Sequence, residues 1–206
     1  MLRDGIKESL LVAHRQNTLK FTVEGYDREL RPDQKLGAAF LCLQQRAILA
    51  SPIGVGKTLE ATAAVKKLYN LGRIKSFLVV APLSTLDQWK EEMDRAQLDV
   101  AVLSGSLRER QLMIGISRGR CVVTLASLNT DLKVHLESWK YDCLVLDESI
   151  IIRNYKTTSW KTIRKISEKM KYVFFISGQP FENNLTEIYS QVEACAPNTI
   201  GVTQLF

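Results

Sequence analysis

The sequence predicts an α/β fold in which a mostly parallel central sheet carries helices on both faces. Three observations point there. Short, nearly continuous apolar runs recur along the chain, segments with helical spacing separate them, and a glycine-containing loop joins one run to the helical segment after it. Apolar runs of this length fit strands covered on both faces. Strand–helix alternation builds layered domains with right-handed crossovers.

The runs are Ala47–Ala50, Phe77–Ala81, Val100–Leu103, Cys121–Leu125, Cys143–Leu146 and Tyr172–Ile176. After Lys57, apolar residues fall at Ala61, Ala64, Val65 and Leu68, and Gly72 offers a stop. Leu86, Trp89 and Met93 form a second stripe, which reads Trp89 as core. Trp160, Ile163, Ile166 and Met170 form a third, and Leu185, Ile188, Tyr189 and Val192 a fourth. Leu19 to Val23 and the region of Gly25 read as a short strand or hairpin in an N-terminal extension.

Composition narrows the class. The chain has 206 residues, 46% hydrophobic and 24% charged, which is ordinary for a globular domain. A formal charge of +6 permits a polyanionic partner without requiring one, and the basic residues are scattered. Cys42, Cys121, Cys143 and Cys195 form no C-x-x-C pair and read as buried reduced thiols. The first eleven residues carry Asp4 and Glu8, unlike a signal peptide, and no segment suits a membrane span.

The run Ala47–Ala50 leads into Ser51-Pro52-Ile53-Gly54-Val55-Gly56-Lys57-Thr58, with a helix to follow. Gly54 and Gly56 permit tight turns that aim successive N–H groups into one concavity, and the helix start adds its positive dipole end. Lys57 can reach β- and γ-phosphates, and Thr58 can hold Mg²⁺. The run Cys143–Leu146 ends in Asp147-Glu148: one carboxylate for Mg²⁺, one to orient and deprotonate an attacking water. Strand ends on one sheet edge can bring these distant motifs together.

The order of these segments resembles the first RecA-like lobe of superfamily 2 helicases, and within them the Swi/Snf-type DNA-dependent ATPases, over about Leu30 to Phe206. The resemblance implies a RecA-like phosphate-loop lobe at 30–206 behind an extension at 1–29. It implies ATP and Mg²⁺ as ligands, with Arg31, Gln34 and the loop 51–58 binding ATP, Thr58 and Asp147 the metal, and Lys57 and Glu148 serving catalysis. Gln34, in Leu30-Arg31-Pro32-Asp33-Gln34, would read the adenine edge. Pro82, Leu83 and Ser84, then Thr124, Ser127 and Asn154, would contact DNA. Ser177, Gly178 and Gln179 open the run through Leu185 that resembles the segment coupling ATP state to lobe movement.

The sequence departs from the family at several points. Ser51 takes the first glycine position of the loop, and Pro52 and Ile53 replace an acidic residue and Met. Ser149 and Ile150 stand where Ala-His or Gly-His usually follows the acidic pair, and Gln179 replaces Thr. The resemblance further implies a second RecA-like lobe supplying arginines, a duplex DNA partner, no membrane, and work in a prokaryotic or phage-infected cytoplasm, or a nucleus if eukaryotic. An RNA or single-strand helicase lobe, and a single-lobe ATP-binding interaction module, are the alternatives the residues leave open.

Overall fold

The structure is a computed structural model that describes residues 2–16, 18–52, 54–130, 141–179 and 185–199. Six strands form one sheet in the order β1-β6-β5-β2-β4-β3: β1 Arg46–Ala50, β2 Phe77–Val80, β3 Ala101–Leu103, β4 Arg120–Val123, β5 Cys143–Asp147 and β6 Tyr172–Ser177. Every pairing is parallel. Each apolar run of the sequence is a strand, with ends moved by no more than two residues.

The sheet is buried on both faces because its strands alternate between two apolar clusters. Phe77, Val79, Cys143, Val145, Phe174 and Ile176 face one. Leu78, Val80, Leu144, Leu146, Val173 and Phe175 face the other. Helices α2 (Pro32–Gln44), α3 (Lys57–Asn70) and α4 (Leu86–Arg95) supply the first cluster, through residues such as Leu41, Val65 and Trp89. Helices α5 (Leu107–Ile116), α6 (Leu125–Thr130), α7 (Thr158–Ser167) and α8 (Leu185–Cys195) supply the second, through Ile114, Leu128, Ile163 and Ala194. The chain moves outward from β1 to β2 to β3 under α3 and α4, then returns through β4 and β5 to β6 over the opposite face. A reversal of direction with crossovers of one hand requires that change of face.

The N-terminal region differs from the expected strand or hairpin. Leu2–Arg15 is a helix, α1, and residues 18–31 contain no strand, only a turn at Glu24-Gly25. Lys67 donates to the Thr22 carbonyl at 2.8 Å and Asn70 to that of Glu24 at 2.8 Å. Tyr26 donates to Glu92 at 2.6 Å, while Phe21 and Leu30 enter the first cluster. Helix side chains thus satisfy backbone groups that a strand partner would otherwise take.

Arg46 ties the base of β1 to two helix ends. Its guanidinium donates to the carbonyls of Ser167 at 2.8 Å, Cys195 at 2.8 Å and Met170. Cations are favoured at carbonyl-rich helix C-termini. Cys121, Cys143 and Cys195 are buried, and all four cysteines are free thiols; burial pushes Cys195 up to about 12. No helix among the described residues is long and apolar enough to cross a membrane.

Glu60 in α3 is the costly buried group. It is 3% exposed, packs on Gly37 of α2, and its Oε2 has no hydrogen-bond partner among the described residues. A Cβ on Gly37 would lie 2.9 Å from the Glu60 carboxyl carbon, so the glycine makes room for the acid. Burial foremost, with Asp33 adding to it, raises the carboxyl from 4.5 to about 7 against the pull of Lys57 and Arg31. The folded state therefore holds this proton more tightly than the unfolded state, and stability falls as pH rises from about 4.5 through about 7. Glu60→Gln should be more stable than the parent chain at pH 8, by on the order of 2 kcal/mol. The difference should vanish near pH 4, read by denaturant unfolding at both values.

Candidate active site

The C-terminal ends of β1, β6 and β5 lie side by side. Ala50 pairs with Ser177, and Asp147 with Ile176. Adjacent parallel strands are about 4.8 Å apart, so the base of the loop and the acidic pair stand roughly 10 Å apart across one intervening strand. The Ser51 N–H donates to the Ser177 carbonyl at 3.3 Å, which attaches the loop to the first of the predicted coupling residues.

Residues 54–56 turn through two left-handed glycines, Gly54 at φ 86° and Gly56 at φ 90°. Lys57 and Thr58 then begin α3, with Gly56 as its N-cap. Lys57 Nζ donates to the carbonyls of Ser51 and Pro52, each at 3.0 Å, which places the ammonium over the loop that precedes it. Ile53 lies outside the described residues.

Gln34 and Arg31 brace this loop from α2. Gln34, 2% exposed, donates through Nε2 to the Val55 carbonyl at 2.9 Å and accepts from the Arg31 N–H at 3.1 Å. Arg31 donates to the same Val55 carbonyl at 2.7 Å and grips Asp33 at 2.9 and 3.2 Å, which holds the Asp33 carboxyl below its ordinary value. A Cβ on Gly56 would sit 2.5 Å from Gln34 Nε2. Gly56 therefore meets two demands at once, a left-handed backbone and a close neighbour. The Gln34 amide keeps one hydrogen and one lone pair beyond these bonds.

The acidic pair is built differently at its two members. Asp147 is 8% exposed; its Oδ2 accepts from Trp89 Nε1 at 2.8 Å and its Oδ1 from the Glu148 N–H at 3.0 Å. Glu148 is exposed and has left-handed backbone, φ 51° and ψ 58°. Such a conformation is strained for a residue with a side chain and concentrates at functional sites. Here it turns the chain sharply out of β5 into the 3₁₀ turn Ser149–Ile152. Ser149, fully buried, donates to Gln191 of α8 at 2.7 Å.

Other predicted residues fall into two groups. A cavity of about 430 Å³ runs from Asp147 and Glu148 past Pro82, Leu83, Thr124 and Ser127, joining both stretches to the acidic pair. Ser84 is exposed beside Leu83. Thr124 Oγ1 accepts from the Ser127 N–H at 3.1 Å and lies 3.0 Å from its hydroxyl, capping α6. Asn154 stands away from that cavity, on an exposed turn that its side chain closes by accepting from the Lys156 N–H at 2.9 Å. Ser177 is buried and its hydroxyl folds onto Gln179, donating to the carbonyl at 2.9 Å and accepting from the N–H at 3.2 Å, with Gly178 between. Residues 180–184 and 200–206 lie outside the described residues.

Sequence reasoning missed the bond from Trp89 to Asp147, the brace from Gln34 and Arg31 to Val55, and buried Glu60. The first had a usable signal, because a buried indole N–H must find an acceptor. The donor set fits a phosphate chain with a divalent cation: loop N–H groups, an ammonium, a hydroxyl at a helix start, and two carboxylates on one sheet edge.

Fold and site together define a RecA-like phosphate-loop lobe. Residues 14–206 match the SNF2-related domain family, and the chain belongs to it. It is 31% identical over 182 residues to the chromodomain-helicase-DNA-binding protein 1-like of Danio rerio, covering 82% of this chain and 17% of that protein. It is 28% identical over 160 residues to the uncharacterized ATP-dependent helicase YqhH of Bacillus subtilis, covering 76% of this chain and 27% of that one. The Sulfolobus solfataricus SWI2/SNF2 ATPase core in complex with dsDNA aligns with a TM-score of 0.74 at 26% identity, over 87% of this chain and 38% of that one. The chain thus spans well under half the length of these relatives.

The two loop glycines should respond differently to substitution. Gly54 has open space where a Cβ would stand, so Gly54→Ala meets backbone strain alone, about 1 kcal/mol. Gly56→Ala adds the collision with Gln34 and should cost at least about twice that and weaken nucleotide binding. Thermal melts and titration with a fluorescent ATP analogue would read both.

Proposed function

We propose that this chain is the ATP-binding lobe of a motor that couples ATP hydrolysis to movement on, or remodelling of, duplex DNA. The observation that carries the reading is the shared edge of β1, β6 and β5. It sets the phosphate loop beside the acidic pair and opens that pair onto the cavity lined by Pro82, Leu83, Thr124 and Ser127. The family, and a structural relative described as a SWI2/SNF2 ATPase core in complex with dsDNA, support it.

In this reading the N–H groups of residues 54–58 and the Lys57 ammonium bind the β- and γ-phosphates and draw charge from the leaving oxygen. Magnesium, held by Thr58 and Asp147, would neutralise charge on the same phosphates. Glu148 orients a water for attack on the γ-phosphorus and takes its proton, while the bond to the ADP oxygen breaks. Gln34 and Arg31 serve the base side of the site. Ser177, through its carbonyl on the Ser51 N–H, passes the state of the loop to the segment that follows β6. A second RecA-like lobe completes the site with arginines, so this lobe alone binds nucleotide weakly and hydrolyses it slowly. The chain works where duplex DNA is found, the cytoplasm of a prokaryotic or phage-infected cell, or the nucleus of a eukaryote.

Joined to its second lobe, the protein should hydrolyse Mg·ATP faster with duplex DNA than with single strands or RNA. Glu148→Gln should lower turnover at least about a hundredfold while nucleotide binding survives. Greater stimulation by RNA or single strands would replace the duplex assignment. Turnover unchanged in Glu148→Gln would remove Glu148 from the chemistry.

A further inference from the structure

The Asp147 carboxylate is held in place by a helix that borders the groove. Trp89 of α4 is fully buried, yet its indole N–H points at a carboxylate instead of a backbone carbonyl, donating to Asp147 Oδ2 at 2.8 Å. Thr85 Oγ1, at the N-cap of the same helix, lies 3.5 Å from that oxygen. The Glu148 N–H takes Oδ1 at 3.0 Å. An ionised carboxylate offers about four acceptor sites. The indole and the Glu148 N–H fill one on each oxygen and fix the rotamer. Sites are left over for a metal-bound water. The run Pro82–Thr85 that leads into α4 also lines the groove through Pro82 and Leu83.

We propose that Trp89 is a positioning residue for the metal: its indole N–H sets the Asp147 carboxylate for Mg²⁺ and ties that carboxylate to the segment forming the groove wall. This rests on the reading of Asp147 as a magnesium-holding residue. Two features favour it over a purely packing role. The acceptor is the charged group at the end of β5, and the bond is short and charge-assisted, the kind that orients a ligand. The link also runs both ways: whatever shifts Pro82–Thr85 changes the cation's hold on Asp147, and cation binding changes the segment equally.

Trp89→Phe keeps an aromatic ring in the buried slot and removes the N–H along with part of the indole's bulk, a packing loss that acts with and without Mg²⁺ alike. Binding of a non-hydrolysable fluorescent ATP analogue is titrated against Mg²⁺, and separately in chelator. The Mg²⁺ midpoint should rise about tenfold or more in Trp89→Phe, with metal-free affinity unchanged. Equal loss with and without Mg²⁺, or an unmoved midpoint, would reduce Trp89 to packing and overturn the proposal. Wild-type protein whose nucleotide binding ignores Mg²⁺ would instead overturn the reading of the site. Should Trp89→Phe fail to fold, the wild-type indole ¹⁵N–¹H signal decides, assigned by elimination with Trp139→Phe and Trp160→Phe. It should move when Mg²⁺ is added to the nucleotide complex, and a signal that stays in place overturns the proposal.

Discussion

The register of β6 between β1 and β5 is the constraint on which the rest depends. The phosphate loop leaves β1 and the acidic pair ends β5, strands that never touch. β6 pairs with both, setting Ser177 opposite Ala50 and Ile176 opposite Asp147. A slip of one residue along β6 would turn its side chains to the opposite faces. Phe174 and Phe175, now in separate apolar clusters, would exchange them. The packing that buries the sheet on both sides therefore also fixes how the two halves of the site face each other.

Around that frame the site is held by polar contacts from several directions. α2 reaches the loop through Gln34 and Arg31, α4 reaches Asp147 through Trp89, and α8 reaches Ser149 through Gln191. Glu148 alone among these groups is exposed on strained backbone, which suits the role proposed for it, meeting a water and a substrate. A site braced this way can report on its surroundings. α2, α4 and α8 each bond to a different part of it.

Much of this was legible in the sequence. Strands buried on both faces leave continuous apolar runs, so all six were found. The placement of the loop and the acidic pair was legible because each follows an apolar run, and parallel strands bring such ends to one edge. The rest lacked a local signal. Leu19, Phe21 and Val23 alternate as a strand would, but alternation cannot separate a strand from an extended segment lying across helices, which is what 18–31 is. Spacing showed that Trp89 is buried without showing which acceptor meets its N–H. Gln34 read as a contact for adenine, and what the structure shows is a brace for Val55, a role set by the tertiary approach of α2 to the loop. Asn154 followed from order along the chain, and order did not bring it into the groove.

In the function proposed for this lobe, loop and acidic pair share one cation. Manganese in place of magnesium makes this measurable, because bound Mn²⁺ changes the relaxation of water protons. With a non-hydrolysable ATP analogue present, the chain should show one Mn²⁺ midpoint that rises in Thr58→Val and in Asp147→Asn alike. A midpoint moved by one substitution and left in place by the other would contradict a shared cation.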